Sequence, residues 1–143
     1  MRPTVEFHTI LVARIDDTHH RVRVAVCYDS RDPWAVLLRI YAGRPRASRF
    51  RDWVFSRELL AAGVLAAPPS MCGEGDVVLV GDGDGALRIV LHGHGGSTVL
   101  VFDHNELAAL AGRIAALAPT SPTVGEVDLA QAGEDITVLV GDR

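Results

Sequence analysis

The strongest constraint on this chain is a period-two alternation that runs through its first forty residues. Val5, Phe7, Thr9, Leu11 and Ala13 fall on one side of an extended chain, and Thr4, Glu6, His8, Ile10 and Val12 on the other. After the polar break Asp16-Asp17-Thr18-His19-His20, a second run puts Val22, Val24, Val26 and Tyr28 on one face. Asp29-Ser30-Arg31-Asp32-Pro33 then carries turn chemistry, because Asp and Ser side chains bond their own backbone and Pro fixes φ. A third run alternates through Trp34, Val36, Leu38 and Ile40. Successive strand side chains point to opposite faces, so each run buries one face and exposes the other. The pattern predicts an antiparallel meander of strands about eight residues long.

Farther along, Ala42–Arg51 reads as a loop or hairpin tip, and Arg51–Phe55 as a short fourth strand. Ser56 is placed to cap a helix over Arg57-Glu58-Leu59-Leu60-Ala61-Ala62, and Gly63 to end or weaken it. Ala66–Gly75, with Pro68-Pro69, reads as a connector. Three strands follow, Asp76–Gly81, Ala86–His92 and Ser97–Phe102, separated by Gly-rich turns typical of hairpins. Asp103 with Glu106 has the spacing of a capping box. Leu107, Leu110, Ile114 and Leu117 then form one apolar stripe of a helix that Pro119 stops. The segment Asp128–Gly133 has helical composition, whereas Ile136–Val140 is β-branched and fits either state. The expected order is four strands, helix, three strands, helix: an α+β domain of two similar sheet-plus-helix halves. One domain spans residues 1–143, with its core over about 4–118 and a tail over 119–143.

Composition bounds the function. At 143 residues and 48% hydrophobic, the chain can form a core without a disulfide or metal. Cys27 and Cys72 are expected as reduced thiols. No apolar run reaches membrane-spanning length, and the start Met-Arg-Pro-Thr-Val-Glu-Phe-His lacks an apolar signal region, so the expected location is the cytosol. The net charge of −4 is uneven. Residues 1–60 hold 11 Arg against 7 carboxylates, residues 61–143 hold 3 against 11, and Lys is absent.

Few residue patterns point to chemistry. His92-Gly93-His94 has spacing for two ligands on one strand face, but a Gly intervenes and no third ligand is near in sequence. Asp82-Gly83-Asp84-Gly85 lacks the distal Glu of a calcium loop and reads as a hairpin turn. No glycine cluster precedes a helix in a phosphate-binding pattern, and no Ser or Cys lies in an activating motif. No catalytic residue, cofactor or metal is expected. The concentrated feature is Arg44-Pro45-Arg46-Ala47-Ser48-Arg49-Phe50-Arg51. Its candidate contact residues are Arg44, Arg46, Arg49, Phe50 and Arg51, suited to an acidic protein surface, a neighbouring protomer, or the phosphates and bases of single-stranded nucleic acid.

Three stretches together carry a resemblance. Tyr28-Asp29-Ser30-Arg31-Asp32-Pro33-Trp34-Ala35-Val36, Trp53-Val54-Phe55-Ser56-Arg57-Glu58-Leu59-Leu60-Ala61-Ala62-Gly63 and Gly75-Asp76-Val77-Val78-Leu79-Val80 resemble, in order and spacing, segments of the SsgA-like sporulation and cell division proteins of actinomycetes. The likeness extends from about Val5 to Ala118, and the tail beyond Pro119 departs from it. Its signature positions here are Asp32, Pro33, Trp34, Trp53, Phe55, Leu59, Leu60 and Gly63, expected to be structural. The resemblance implies a whirly-like or guide-RNA-binding-like ββββ-α-βββ-α fold, two antiparallel curved sheets with helices, and a homotrimer. It implies a non-enzymatic regulator of septation and cell-wall remodelling that recruits other proteins, with FtsZ or a related SsgA-like protein as partner and the division septum as destination. The alternative is a single-stranded nucleic-acid binder using residues 44–51, an arrangement the negative net charge disfavours.

Overall fold

The structure, a computed structural model, describes residues 4–16, 18–42 and 49–117. In it the alternating runs become β1 (Glu6–Ile15), β2 (Arg21–Asp29), β3 (Ala35–Ala42) and β4 (Arg49–Ser56), followed by α1 (Arg57–Leu65). A second meander, β5 (Ser70–Glu74), β6 (Val77–Gly81), β7 (Ala86–Gly93) and β8 (Gly96–Asp103), leads into α2 (His104–Leu117). All strand pairs are antiparallel, in the order β4-β3-β2-β1-β8-β7-β6-β5.

Four expectations need correcting. Ala66–Gly75 is not simply a connector, because Ser70–Glu74 pairs with β6 as an edge strand, so the second half has four strands rather than three. Its Ser-Met-Cys-Gly-Glu sequence has little β signature, and pairing to Val77–Gly81 supplies what local propensity does not. The two sheets are also continuous with each other. β1 joins β8 through the short ladder Arg14↔Val101 and Ile15↔Leu100, which makes one curled eight-stranded sheet. The fourth strand begins at Arg49 rather than Arg51, zipped to β3 from Ala42↔Arg49 to Ala35↔Ser56.

The fourth correction concerns Gly63, which does not end α1 but lies inside it, buried. A Cβ placed there would sit 2.3 Å from Leu79 Cδ2 and 2.9 Å from Leu79 Cβ, so glycine is what allows the helix to approach β6. Ser56 caps α1 as expected, its hydroxyl accepting from Leu59 N at 3.0 Å. Asp103 accepts from Asn105 N at 2.8 Å at the start of α2. Of the α2 stripe, Leu107, Leu110 and Ile114 are buried and Leu117 is 39% exposed. The stop at Pro119 and the 119–143 tail lie outside the described residues.

One core unites the halves. Val24, Val26, Tyr28, Val36, Leu38 and Phe55 pack with Leu79, Leu87, Ile89, Leu91, Leu100 and the buried faces of α1 and α2. Burying one such side chain contributes roughly 1.5–3 kcal/mol, against about 1 kcal/mol for a helix cap. The shared interior therefore dominates the fold, and its burden falls on one face of every strand.

Candidate protein-interaction face

The opposite face of β1–β4 is the candidate site. Antiparallel register stacks its side chains into cross-strand rows. The middle rows run Val12–Arg23–Tyr41–Phe50, Ile10–Ala25–Arg39–Asp52 and His8–Cys27–Leu37–Val54. Arg14 faces Arg21 at one end, and Glu6 faces Asp29 at the other. No described element covers these rows, and Ile10, Val12, Phe50 and Val54 are 47%, 51%, 48% and 61% exposed. Ala25 is nonetheless buried, walled in by its larger neighbours.

Charge is graded along this face. At the Arg14 end, Arg14, Arg21 and Arg23 make no ion pair among the described residues, and Arg23 lies 5.4 Å from the Tyr41 ring centroid. In the middle, Arg39 and Asp52 form a two-pronged pair at 2.8 and 2.9 Å. Hydrogen bonding from Arg39 holds the Asp52 carboxyl below its ordinary range. At the Glu6 end, Arg31 bridges Glu6 and Asp29, and its hydrogen bond lowers the Asp29 carboxyl in the same way. A groove of about 460 Å³ opens there, with Glu6, His8, Cys27, Asp29, Asp32 and Leu37 in its lining. Burial raises the Cys27 thiol, the opposite of what activates a nucleophile.

Of the five candidate contact residues, the side chains of Phe50 and Arg51 are described, and they lie on opposite sides of β4. Arg44 and Arg46 lie outside the described residues, as does the Arg49 side chain. Phe50 is on the outer face, with the Arg39 guanidinium 4.0 Å from its ring centroid and Tyr41 edge-on at 6.3 Å. Arg51 is exposed but alternates to the other side of β4. Sequence reasoning missed the Arg14–Arg21 and Arg39–Asp52 pairs, which depend on strand register. A signal for the rest was present: Ile10 and Val12 are apolar residues on what the alternation marks as the polar face.

The signature positions converge on the start of α1. Trp34 accepts from Arg57 N at 2.8 Å through its carbonyl, and the Arg57 guanidinium lies 4.5 Å from its ring centroid. Asp32 and Pro33 form the turn before it, where Asp32 N donates to the Asp29 carbonyl at 2.9 Å. Ser56 N donates to Glu74 Oε1 at 2.9 Å. Phe55, Leu59 and Leu60 are buried, and Trp53 reaches across to Gly93 in the second half.

Elsewhere, Asp82 and Asp84 flank a tight turn and pair with Arg88, a structural use of the carboxylates. His92 bonds Ser97 Oγ at 2.6 Å, and no group of three or more potential metal ligands gathers among the described residues. No helix of the described residues is long and apolar enough to cross a membrane.

The described residues define, as a class, an α+β scaffold with a filled interior and one sheet face that no described element covers. The chain belongs to the SsgA family, described as Streptomyces sporulation and cell division protein, whose model matches residues 22–122. It is 41% identical over 58 residues to the sporulation-specific cell division protein SsgB of Saccharopolyspora erythraea, a match covering 41% of this chain and 36% of that relative. Among solved structures it is similar to SsgB of Streptomyces coelicolor, studied for mutations that correlate with longitudinal cell division during sporulation. That similarity has a TM-score of 0.68 and 26% identity, covering 83% of this chain and 91% of the other. The SsgA-like sporulation-specific cell division protein of Thermobifida fusca shares the fold, with a TM-score of 0.69 at 19% identity over 85% and 86% of the two chains.

Proposed function

We propose that this chain is a non-enzymatic regulator of sporulation-specific cell division, recruiting division proteins to the septum through the outer face of β1–β4. The observation that carries the reading is the row structure of that face. Ile10 and Val12 on β1 and Phe50 and Val54 on β4 are exposed on a surface that no described element covers, and at one end of it Arg14, Arg21 and Arg23 make no ion pair among the described residues. Soluble proteins seldom leave a contiguous apolar patch open without using it. Family membership supplies the process. FtsZ or a related SsgA-like protein is the proposed partner, and a homotrimer the proposed assembly.

Two observations weigh against the nucleic-acid reading. Arg39 already occupies a face of Phe50 on which a base would stack, and Arg51 lies on the opposite side of the strand from Phe50. The test is a pull-down of purified division proteins, FtsZ first, with the parent chain and with Ile10→Asp. Ile10 is exposed, so the substitution leaves the core intact. The parent chain retains partner and the variant loses at least about tenfold in affinity, the scale of an interface hot spot. Equal binding by the two chains, or no binding to any septal component, overturns the proposal.

A further inference from the structure

The charge order on the outer face limits what can cover it. Along β1 the face passes from Arg14 to Val12, Ile10, His8 and Glu6, a span of about 27 Å at roughly 3.4 Å per residue. On the neighbouring strand it passes from Arg21 to Asp29. One end holds three guanidinium groups, and the other holds Glu6, Asp29 and Asp32 with the single Arg31 among them. Arg14 and Arg21 stand directly opposite each other, a like-charge cross-strand contact that costs stability until an anion relieves it.

We infer that the partner this face fits is a second copy of the same face, related by a two-fold axis that crosses the strands at the Ile10–Ala25–Arg39–Asp52 row. Such an axis reverses strand direction between the copies and keeps the order of the strands. Arg14 of each copy then meets Glu6 of the other, and Arg21 meets Asp29. Tyr41 and Phe50 come over Leu37 and Val54, apolar against apolar. Ile10 meets its own counterpart at the axis, as do Arg39 and Asp52, whose like-charge contacts across the axis are softened by the two-pronged Arg39–Asp52 pair within each copy, so the favourable charge contacts lie at the two ends. Long Arg side chains arriving at the Glu6 end find the 460 Å³ groove there. Every contact off the axis occurs twice, as an isologous interface requires.

The area sets the strength. Four strands about 4.8 Å apart over some 27 Å give on the order of 500 Å² per copy, near 1,000 Å² in all. That is the low end of specific interfaces, so the pairing is reversible and concentration-dependent. A division regulator using this face would be held in reserve by its own pairing and released when a competing partner takes the surface.

This inference rests on the reading of the face as a protein-docking surface, and the test separates the two. Mass is measured by sedimentation equilibrium for the full chain, for Arg14→Glu, for Glu6→Arg, and for an equimolar mixture of the two variants. Both side chains point away from the interior, and thermal melts confirm that each variant is folded. The parent mass doubles with concentration, from that of the proposed trimer to that of a pair of trimers. Each variant alone dissociates at least about tenfold more readily, as expected for a lost interfacial ion pair that becomes a repulsion. The mixture regains pairing, because Arg14→Glu of one chain meets Glu6→Arg of the other while the second contact keeps its native Arg14–Glu6 pair. Val54→Asp, an apolar loss where Phe50 of the second copy lands, weakens pairing in a way that mixing does not repair. A parent that never doubles, or a mixture that fails to recover, overturns the two-fold pairing and leaves partner recruitment through the face standing. Loss of septal-protein binding on Ile10→Asp is decided separately, in the pull-down.

Discussion

Asp52 is where the electrostatics of the face can be read in solution. Arg39 donates to both carboxylate oxygens, so the carboxyl ionises more readily in the folded chain than in the unfolded one. A depressed folded value means the contribution is full above about pH 4, the unfolded carboxylate value, and is lost as pH falls through the folded value. Asp52→Asn therefore melts below the parent at neutral pH, and the two curves converge as the pH is lowered toward about 2. A gap between them that stays constant across this range would mean the pair adds no proton-linked stability. Asp84 and Asp29 are lowered by their own arginines and contribute the same acid sensitivity to both chains.

At the scale of elements, α1 shows how far sequence reasoning reaches. The Ser56 cap and the alternating strands were legible, because caps and two-residue periods are local physics. Gly63 was not, because its reason is Leu79, on another strand. The edge strand Ser70–Glu74 was likewise hidden, since partner pairing makes it a strand. Gly63→Ala tests the account. Alanine gains about 1 kcal/mol in helix propensity. Overpacking against Leu79 Cβ, which cannot rotate away, costs about 1–3 kcal/mol. The net expectation is destabilisation by up to about 2 kcal/mol in chemical denaturation; a raised midpoint would show that α1 moves off β6 at little cost. The candidate face divides in the same way. Its exposed aliphatics could be read from the alternation, whereas its charge order needed the register of four strands.

At the scale of the molecule, the two meanders share one interior and join through a short β1–β8 ladder, and no described element covers the β1–β4 outer rows. The proposed trimer is checked by light scattering at low micromolar concentration, where a mass three times 15.3 kDa is expected. A single-chain mass across the whole concentration range would remove both the trimer and the two-fold pairing, leaving the face for other partners only.

The central claim is that partners dock on this face, and two thiols test it directly. Cys27 lies in its His8–Cys27–Leu37–Val54 row, while Cys72 lies in β5 of the other half, and both are half-buried and unpaired. Thiol labelling at fixed pH, read by mass spectrometry with and without a bound division protein, compares them in one sample. Slower labelling of Cys27, with Cys72 unchanged, is the predicted result. Protection of Cys72 while Cys27 labels at its free rate would contradict the account.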